Sequence, residues 1–114
     1  TNFDNASVLY ASRLLDQAGL ETKLMIDMSH ANSSKDHRQQ LTVCEDVCTQ
    51  VEHGESRIIG VMLESNLVEG NQPIGTGEEL VYGCSITDAC ISWDDTVSCL
   101  NQLATAARVR GSTK

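Results

Sequence analysis

Lys23 to Leu63 reads KLMIDMSHANSSKDHRQQLTVCEDVCTQVEHGESRIIGVML, and the order of its patterns decides the fold class. Lys23–Met28 is a short apolar run of strand type. Ser29–Ser34 is a polar loop. From about Asp36 to His53 the apolar residues Leu41, Cys44, Val47, Cys48 and Val51 recur at the spacing of one helical face. Gly54 supplies the stop. Arg57–Leu63 is a second strand, and its core Ile58-Ile59-Gly60-Val61-Met62 is continuously apolar rather than alternating. That pattern predicts a parallel strand covered on both faces. Gly60 within it suits either a close-packing position or an ordinary interior glycine. Strand, helix and strand in this order make a right-handed parallel βαβ unit.

Working outward, Ala6–Ala18 is predicted to be a helix with Val8, Ala11, Leu15 and Ala18 on one face. Asn5 or Ser7 would cap it, and Gly19 would end it. On the other side, Glu64 to about Ile86 shows no periodicity and holds Gly70, Pro73, Gly75, Gly77 and Gly83. A loop of roughly 20 residues inside a compact domain is usually functional or mobile. Asp94–Arg108 is predicted to be the last helix, with Val97, Leu100, Leu103, Ala104 and Ala107 as its apolar stripe. Asp94 and Asp95 suit its positive N-terminal end, Trp93 has the place of a hydrophobic staple, and Gly111–Lys114 reads as a polar tail. The order is α-β-α-β-loop-α, with no internal repeat. Two parallel strands leave edges and apolar faces unpaired, so the organisation predicts a piece of a larger α/β fold.

Composition agrees with a folded chain of at most one domain. The 114 residues are 40% hydrophobic and 21% charged, close to the ordinary globular mix. The formal net charge is −8, from 16 acidic and 8 basic residues, which disfavours nucleic acid and anionic membranes as partners. No apolar run reaches the ~20 residues of a membrane span, and no signal peptide is visible. The start at Thr1 suits a processed chain or an excised piece. Five cysteines, Cys44, Cys48, Cys84, Cys90 and Cys99, are an odd number, which suits reduced thiols in the cytoplasm better than a disulfide framework. Cys44 and Cys48, four apart on one helix face, are either small buried hydrophobes or a soft-metal pair, and the first is the commoner outcome.

Three polar residues stand out by position. His30 follows the first strand, Glu64 follows the second, and Asp88 closes the long loop. In open α/β sheets and (β/α)8 barrels the site lies at the carboxyl ends of the strands, which would bring all three to one rim. An imidazole with two carboxylates suits manganese, iron, cobalt or zinc. Their wide spacing matches no local ligand motif, and single residues of these types are more often surface or structural groups. Asn32, Ser33 and Ser34 suit an anion site at a helix start or, more simply, caps. Lys35 suits a phosphate partner or plain solvation. His37 and His53 are expected to face solvent. Glu69, Asn71 and Gln72 either line the site mouth or solvate the loop.

The run Met25–Lys35 (MIDMSHANSSK) resembles the strand-seven segment of the type I 3-deoxy-D-arabino-heptulosonate 7-phosphate (DAHP) synthases. Gly60–Gln72 (GVMLESNLVEGNQ) and Tyr82–Asp95 (YGCSITDACISWDD) agree with the same family in order and spacing. The resemblance implies a (β/α)8 barrel of which residues 1–114 are the C-terminal fragment, about two strands and three helices. As an isolated fragment it is expected either to rearrange, to swap elements between copies, or to self-associate as a homo-oligomer. The implied reaction condenses phosphoenolpyruvate with erythrose 4-phosphate to DAHP and phosphate, the first step of the shikimate pathway to aromatic amino acids. The family's ligands to a divalent metal are one Cys, one His, one Glu and one Asp. His30, Glu64 and Asp88 match the last three, with catalytic roles implied for His30 and Asp88. The cysteine ligand and the phosphate-binding Arg and Lys cluster have no counterpart in this chain, so the fragment alone is expected to be inactive. Two other readings stand beside it: a non-catalytic half-barrel folding or assembly module, and a sister enzyme acting on a five-carbon sugar phosphate.

Overall fold

The computed structural model describes residues 1–75 and 79–112. The loop glycine Gly77 and the tail residues Thr113 and Lys114 lie outside the described residues. The elements run α1 (Asn5–Gln17), β1 (Leu24–Asp27), a 3-10 helix over His30–Ser33, α2 (Gln39–Glu52), β2 (Ile58–Met62) and α3 (Trp93–Ser112). β1 and β2 pair in parallel, Met25 opposite Gly60 and Asp27 opposite Met62, with an irregularity after Leu24. The βαβ unit is therefore as the periodicity predicts.

Helix ends follow local chemistry. Asp4 caps α1, its Oδ2 accepting the Ser7 N–H at 3.4 Å and its Oδ1 the Ser7 hydroxyl at 2.5 Å. This corrects the expectation of Asn5 or Ser7, because the carboxylate one residue earlier reaches the same orphan donor. Gly19 and Gly54 sit at φ +70° and +95°. Each closes its helix with paired bonds to the preceding turn, Leu20 N–H to Leu15 O and Glu55 N–H to Gln50 O, a Schellman end that L side chains resist.

α2 begins at Gln39 rather than near Asp36. Asp36 instead folds the chain before it, its Oδ1 accepting the Arg38 N–H at 3.0 Å. Ser92, not Trp93, organises the start of α3, accepting the Asp95 N–H on Oγ at 3.2 Å. Trp93 is the first helical residue and 52% exposed, so it does not staple. α3 also runs on through Gly111 to Ser112 instead of ending in a tail. Arg110 anchors that last turn, donating from Nη1 to the carbonyls of Glu55 at 2.8 Å and Ile58 at 2.9 Å.

The core joins Val8 of α1, Ile26, Met28 and Ile58 of the strand region, Val43, Cys44, Val47, Cys48 and Val51 of α2, and Cys99 and Ala106 of α3. Cys44 and Cys48 are thus buried packing groups with free thiols. Cys44 S–H donates to the Cys99 carbonyl at 3.9 Å, and the contact with Cys99 together with burial pushes its thiol up. The buried face of α3 is Thr96, Cys99 and Ala106, with Leu103 partly buried. That corrects the expected stripe: Val97 and Leu100 are exposed. The face of α3 turned to α2 is the i, i+3, i+7, i+10 stripe of Thr96, Cys99, Leu103 and Ala106, from which Val97 and Leu100 are offset by about 100°.

The sheet is covered on one face only. Ile26 and Ile58 are buried under the helices, while Met25 is 64% and Ile59 62% exposed on the other side. The continuous apolar run of β2 predicted cover on both faces, but the core gathers the helices of this chain on one. A Cβ at Gly60 would meet only Met25 Cγ at 3.7 Å, so no close approach demands the glycine. The radius of gyration is 16.4 Å, against about 13 Å for a compact domain of this length. The chain is a flat slab.

Candidate metal centre

β1 ends at Asp27, and two residues later the chain turns into the short 3-10 helix that carries His30. Asp27 organises this turn. Its Oδ1 accepts the Ser29 N–H at 2.9 Å and the Ser29 hydroxyl at 2.5 Å. Its Oδ2 accepts His30 Nδ1–H at 2.9 Å. Burial, which raises a carboxyl, is outweighed by these bonds from Ser29 and His30, so Asp27 stays ionised below its ordinary range. Asn32 Nδ2 adds a bond to the Asp27 carbonyl at 2.8 Å, and Ser33 Oγ one to the His30 carbonyl at 3.2 Å. These side chains fasten the turn and do not cap α2, whose first residue has no side-chain cap.

The turn is strained. His30, Ser34 and Lys35 all have positive φ, at 51°, 53° and 60°. Non-glycine residues adopt this region at a cost, and such outliers gather where geometry is over-determined.

With Nδ1–H committed to Asp27, the free ring nitrogen is Nε2, a tautomer that metal-ligating histidines share. Nε2 lies 3.5 Å from Asp88 Oδ2 and 3.9 Å from Glu64 Oε2. One donor atom from each of His30, Glu64 and Asp88 falls within 4.8 Å of the others, and none of the five cysteines belongs to the group. The hydrogen bond to Asp27 and the charge of Glu64 raise the His30 imidazole. Burial raises the Glu64 carboxyl, and the adjacent Asp88 adds to it. Two facing carboxyl groups oppose joint ionisation unless a cation sits between them.

Glu64 is held by its backbone. Gln40, fully buried at 0% exposure on the first turn of α2, donates from Nε2 to the Glu64 carbonyl at 3.1 Å and accepts the Glu64 N–H on Oε1 at 2.9 Å. Asp88 is held by its neighbours. Gly70 and Cys90 exchange backbone bonds at 2.8 and 3.1 Å, and Asn71 Nδ2 donates to the Thr87 carbonyl at 2.9 Å.

The three donors line a cleft of about 260 Å³ with Lys35, His37 and Asn71. A wider cleft of about 570 Å³ lies at the amino-terminal end of β2, by His53 and Arg57, away from the donor cluster. His53 is exposed as expected. His37 is not free in solvent, since its Nε2 lies 3.1 Å from Glu69 Oε2 and its side chain is largely covered. Of the loop residues, Asn71 reaches the cleft, Gln72 staples the loop through Val81 and Cys84, and Glu69 ties the loop to His37 and Arg38, just before α2. Asp27 and Gln40 were not among the sequence candidates. The Asp-x-x-His spacing at a strand end was a usable local signal for Asp27, whereas nothing local marks Gln40.

A model of the DAHP synthetase I family matches residues 1–101. The Phe-sensitive phospho-2-dehydro-3-deoxyheptonate aldolase of Escherichia coli strain K12 is 54% identical over 109 residues, which cover 96% of this chain and 31% of that protein. The tyrosine-inhibited phospho-2-dehydro-3-deoxyheptonate aldolase of Candida albicans is 47% identical over 119 residues, covering 100% of this chain and 32% of that protein. The phospho-2-dehydro-3-deoxyheptonate aldolase structure from Francisella tularensis SCHU S4 matches 96% of this chain and 31% of its own at 47% identity, with a TM-score of 0.91. The backbone is similar to that relative over nearly the whole of this chain. The chain spans about a third of the length of the relatives it matches. On these matches, the chain belongs to the DAHP synthetase I family.

Proposed function

We propose that residues 1–114 are the C-terminal portion of a (β/α)8 barrel. The protein that holds it condenses phosphoenolpyruvate with erythrose 4-phosphate to DAHP and phosphate, at the entry to the shikimate pathway. The observation that carries this reading is the convergence of His30, Glu64 and Asp88, from three separate segments, on one cleft at the carboxyl ends of the strands. Family membership supports it.

The donor set fits a divalent ion such as manganese, iron, cobalt or zinc: one imidazole nitrogen and two carboxylates, with an outer carboxylate fixing the imidazole tautomer. His30 Nε2, Glu64 and Asp88 are the proposed ligands, and the fourth, a cysteine, is supplied from outside this chain. The chemistry such an ion supplies when bound is Lewis acidity at the aldehyde oxygen of the sugar phosphate. The chain's own residues do the rest of the local work. Asp27 keeps the proton on Nδ1 of His30, Gln40 holds the Glu64 backbone, and Asp88 would also contact a hydroxyl of the sugar phosphate. With the cysteine and the phosphate-binding cations missing, the chain alone is inactive in this reading.

Manganese titration by calorimetry tests the assignment. His30→Ala and Glu64→Ala are each expected to abolish binding, and retention of the parent affinity by both removes the site. The open sheet face at Met25 and Ile59 favours one further reading, a half-barrel that assembles as a homo-oligomer without catalysis. Cooperative unfolding of a defined oligomer, indifferent to manganese and phosphoenolpyruvate, would support that module instead. The cytoplasm is the proposed compartment, on the five free cysteines. No helix among the described residues is long and apolar enough to cross a membrane.

A further inference from the structure

Asp88 lies 58 residues after His30 in the chain, on a segment between Met62 and Trp93 that has no helix or strand among its described residues. Its place opposite His30 has to come from bonds that tie that segment to the rest of the molecule. Glu69 makes them. Its Oε2 faces His37 Nε2 at 3.1 Å and accepts Arg38 Nε–H at 3.3 Å, and its Oε1 accepts Arg38 Nη2–H at 3.0 Å. The paired Arg38 bonds have the geometry of a fork on a carboxylate, which fixes orientation as well as distance. His37 and Arg38 belong to the connection that starts at His30 and ends at α2. The two residues after Glu69 then hold the Asp88 turn from both sides, Asn71 through the Thr87 carbonyl and Gly70 through the Cys90 backbone. A continuous set of bonds thus runs from the His30 segment through Glu69 to Asp88.

We propose that Glu69 is a positioning residue of the metal centre: by bonding His37 and Arg38 it sets the distance between Asp88 and His30. Glu69 touches none of the three donors, so it acts through the turn that carries Asp88. The inference rests on the metal reading above and adds to it the device that assembles the site.

The test uses the 114-residue chain with Glu69→Ala and Glu69→Gln. Arg38 and Glu69 are both exposed enough for the variants to fold, which circular dichroism verifies. Manganese affinity is expected to fall by up to about tenfold in Glu69→Ala, the lower end of the loss for a group bonded directly to a metal ligand, and by less in Glu69→Gln. The cobalt(II) visible spectrum should shift, reporting altered ligand geometry. Unchanged affinity and an unchanged spectrum overturn the inference. If the parent chain binds no metal, the metal reading fails and the positioning claim is decided without it. Amide hydrogen exchange at Cys90 and Ile91 is then expected to quicken in Glu69→Ala, and exchange equal to the parent overturns the claim.

Discussion

The connections that leave the two strands solve one problem in different ways. After β1, the chain places His30 within three residues of its own partner, Asp27, and every bond that aims the ring is local. After β2, Glu64 and Asp88 are placed by bonds that span long stretches of chain. Gln40 to Glu64 crosses 24 residues, Arg38 to Glu69 crosses 31, and Asn71 to Thr87 crosses 16. The first connection stores its geometry in backbone strain, at His30, Ser34 and Lys35. The second stores it in side-chain bonds that form only once the helices have packed. A donor aimed locally should withstand loosening of the fold, and a donor aimed at long range should not.

Gln40→Leu is expected to give the largest effect. It leaves the part-buried N–H of Glu64 without a partner, at about 1–3 kcal/mol, while the Glu64 carbonyl keeps the Ile91 N–H at 3.0 Å. Urea denaturation measures the loss, and manganese affinity should fall with it while the Asp27–His30 pairing survives. Histidine NMR of the variant would show whether that local pairing is in fact independent.

Asp27→Asn comes next. Stability should change little, but the His30 tautomer is no longer held and manganese affinity should fall by on the order of tenfold. If Asp27→Asn instead destabilises the chain as much as Gln40→Leu, the contrast between the connections collapses.

A third effect depends on pH. The bonds from Arg38, followed by that from His37, hold the Glu69 carboxyl below its ordinary value of 4.5. A depressed folded value means the tie is fully present above the ordinary glutamate range and is lost as pH falls through the folded value. Exchange at the Cys90 amide, corrected for its intrinsic rate, should therefore be flat from neutral pH down to the ordinary glutamate range and rise at lower pH. A rise already at neutral pH would mean that another group holds the loop.

The smallest effect is expected at the strained turn. Ser34→Gly relieves a left-handed residue, worth roughly 1–2 kcal/mol, but adds the freedom of glycine to the unfolded chain, at roughly 0.5–1 kcal/mol. The net gain, read by thermal unfolding, should stay below about 1.5 kcal/mol.

Particular residues show why some of this was readable in advance. The α2 stripe from Leu41 to Val51 and the stops at Gly19 and Gly54 are local matters of period and of backbone freedom. The α3 stripe was misjudged because Val97 and Leu100 look like core by size alone. They lie one residue off the stripe of Thr96, Cys99, Leu103 and Ala106 that faces α2, so the smaller residues are buried in their place. The strand-end rule selected His30 and Glu64 as candidates, since chain order and parallel pairing suffice to put the ends of β1 and β2 on one rim, and Asp88 was added as the residue closing the long loop. Glu69 and Gln40 carried no such mark, because an exposed glutamate and a helical glutamine are ordinary until their partners are known.

Periodicity, capping chemistry and helix-stop glycines, all interactions within a few residues, were enough for element type, order and the βαβ unit. Which face of α3 is buried, that one sheet face stays open, and how Glu64 and Asp88 come to oppose His30 all depend on contacts between distant parts of the chain. Such contacts have no local signature, because their free energy exists only when the packed helices bring the partners together.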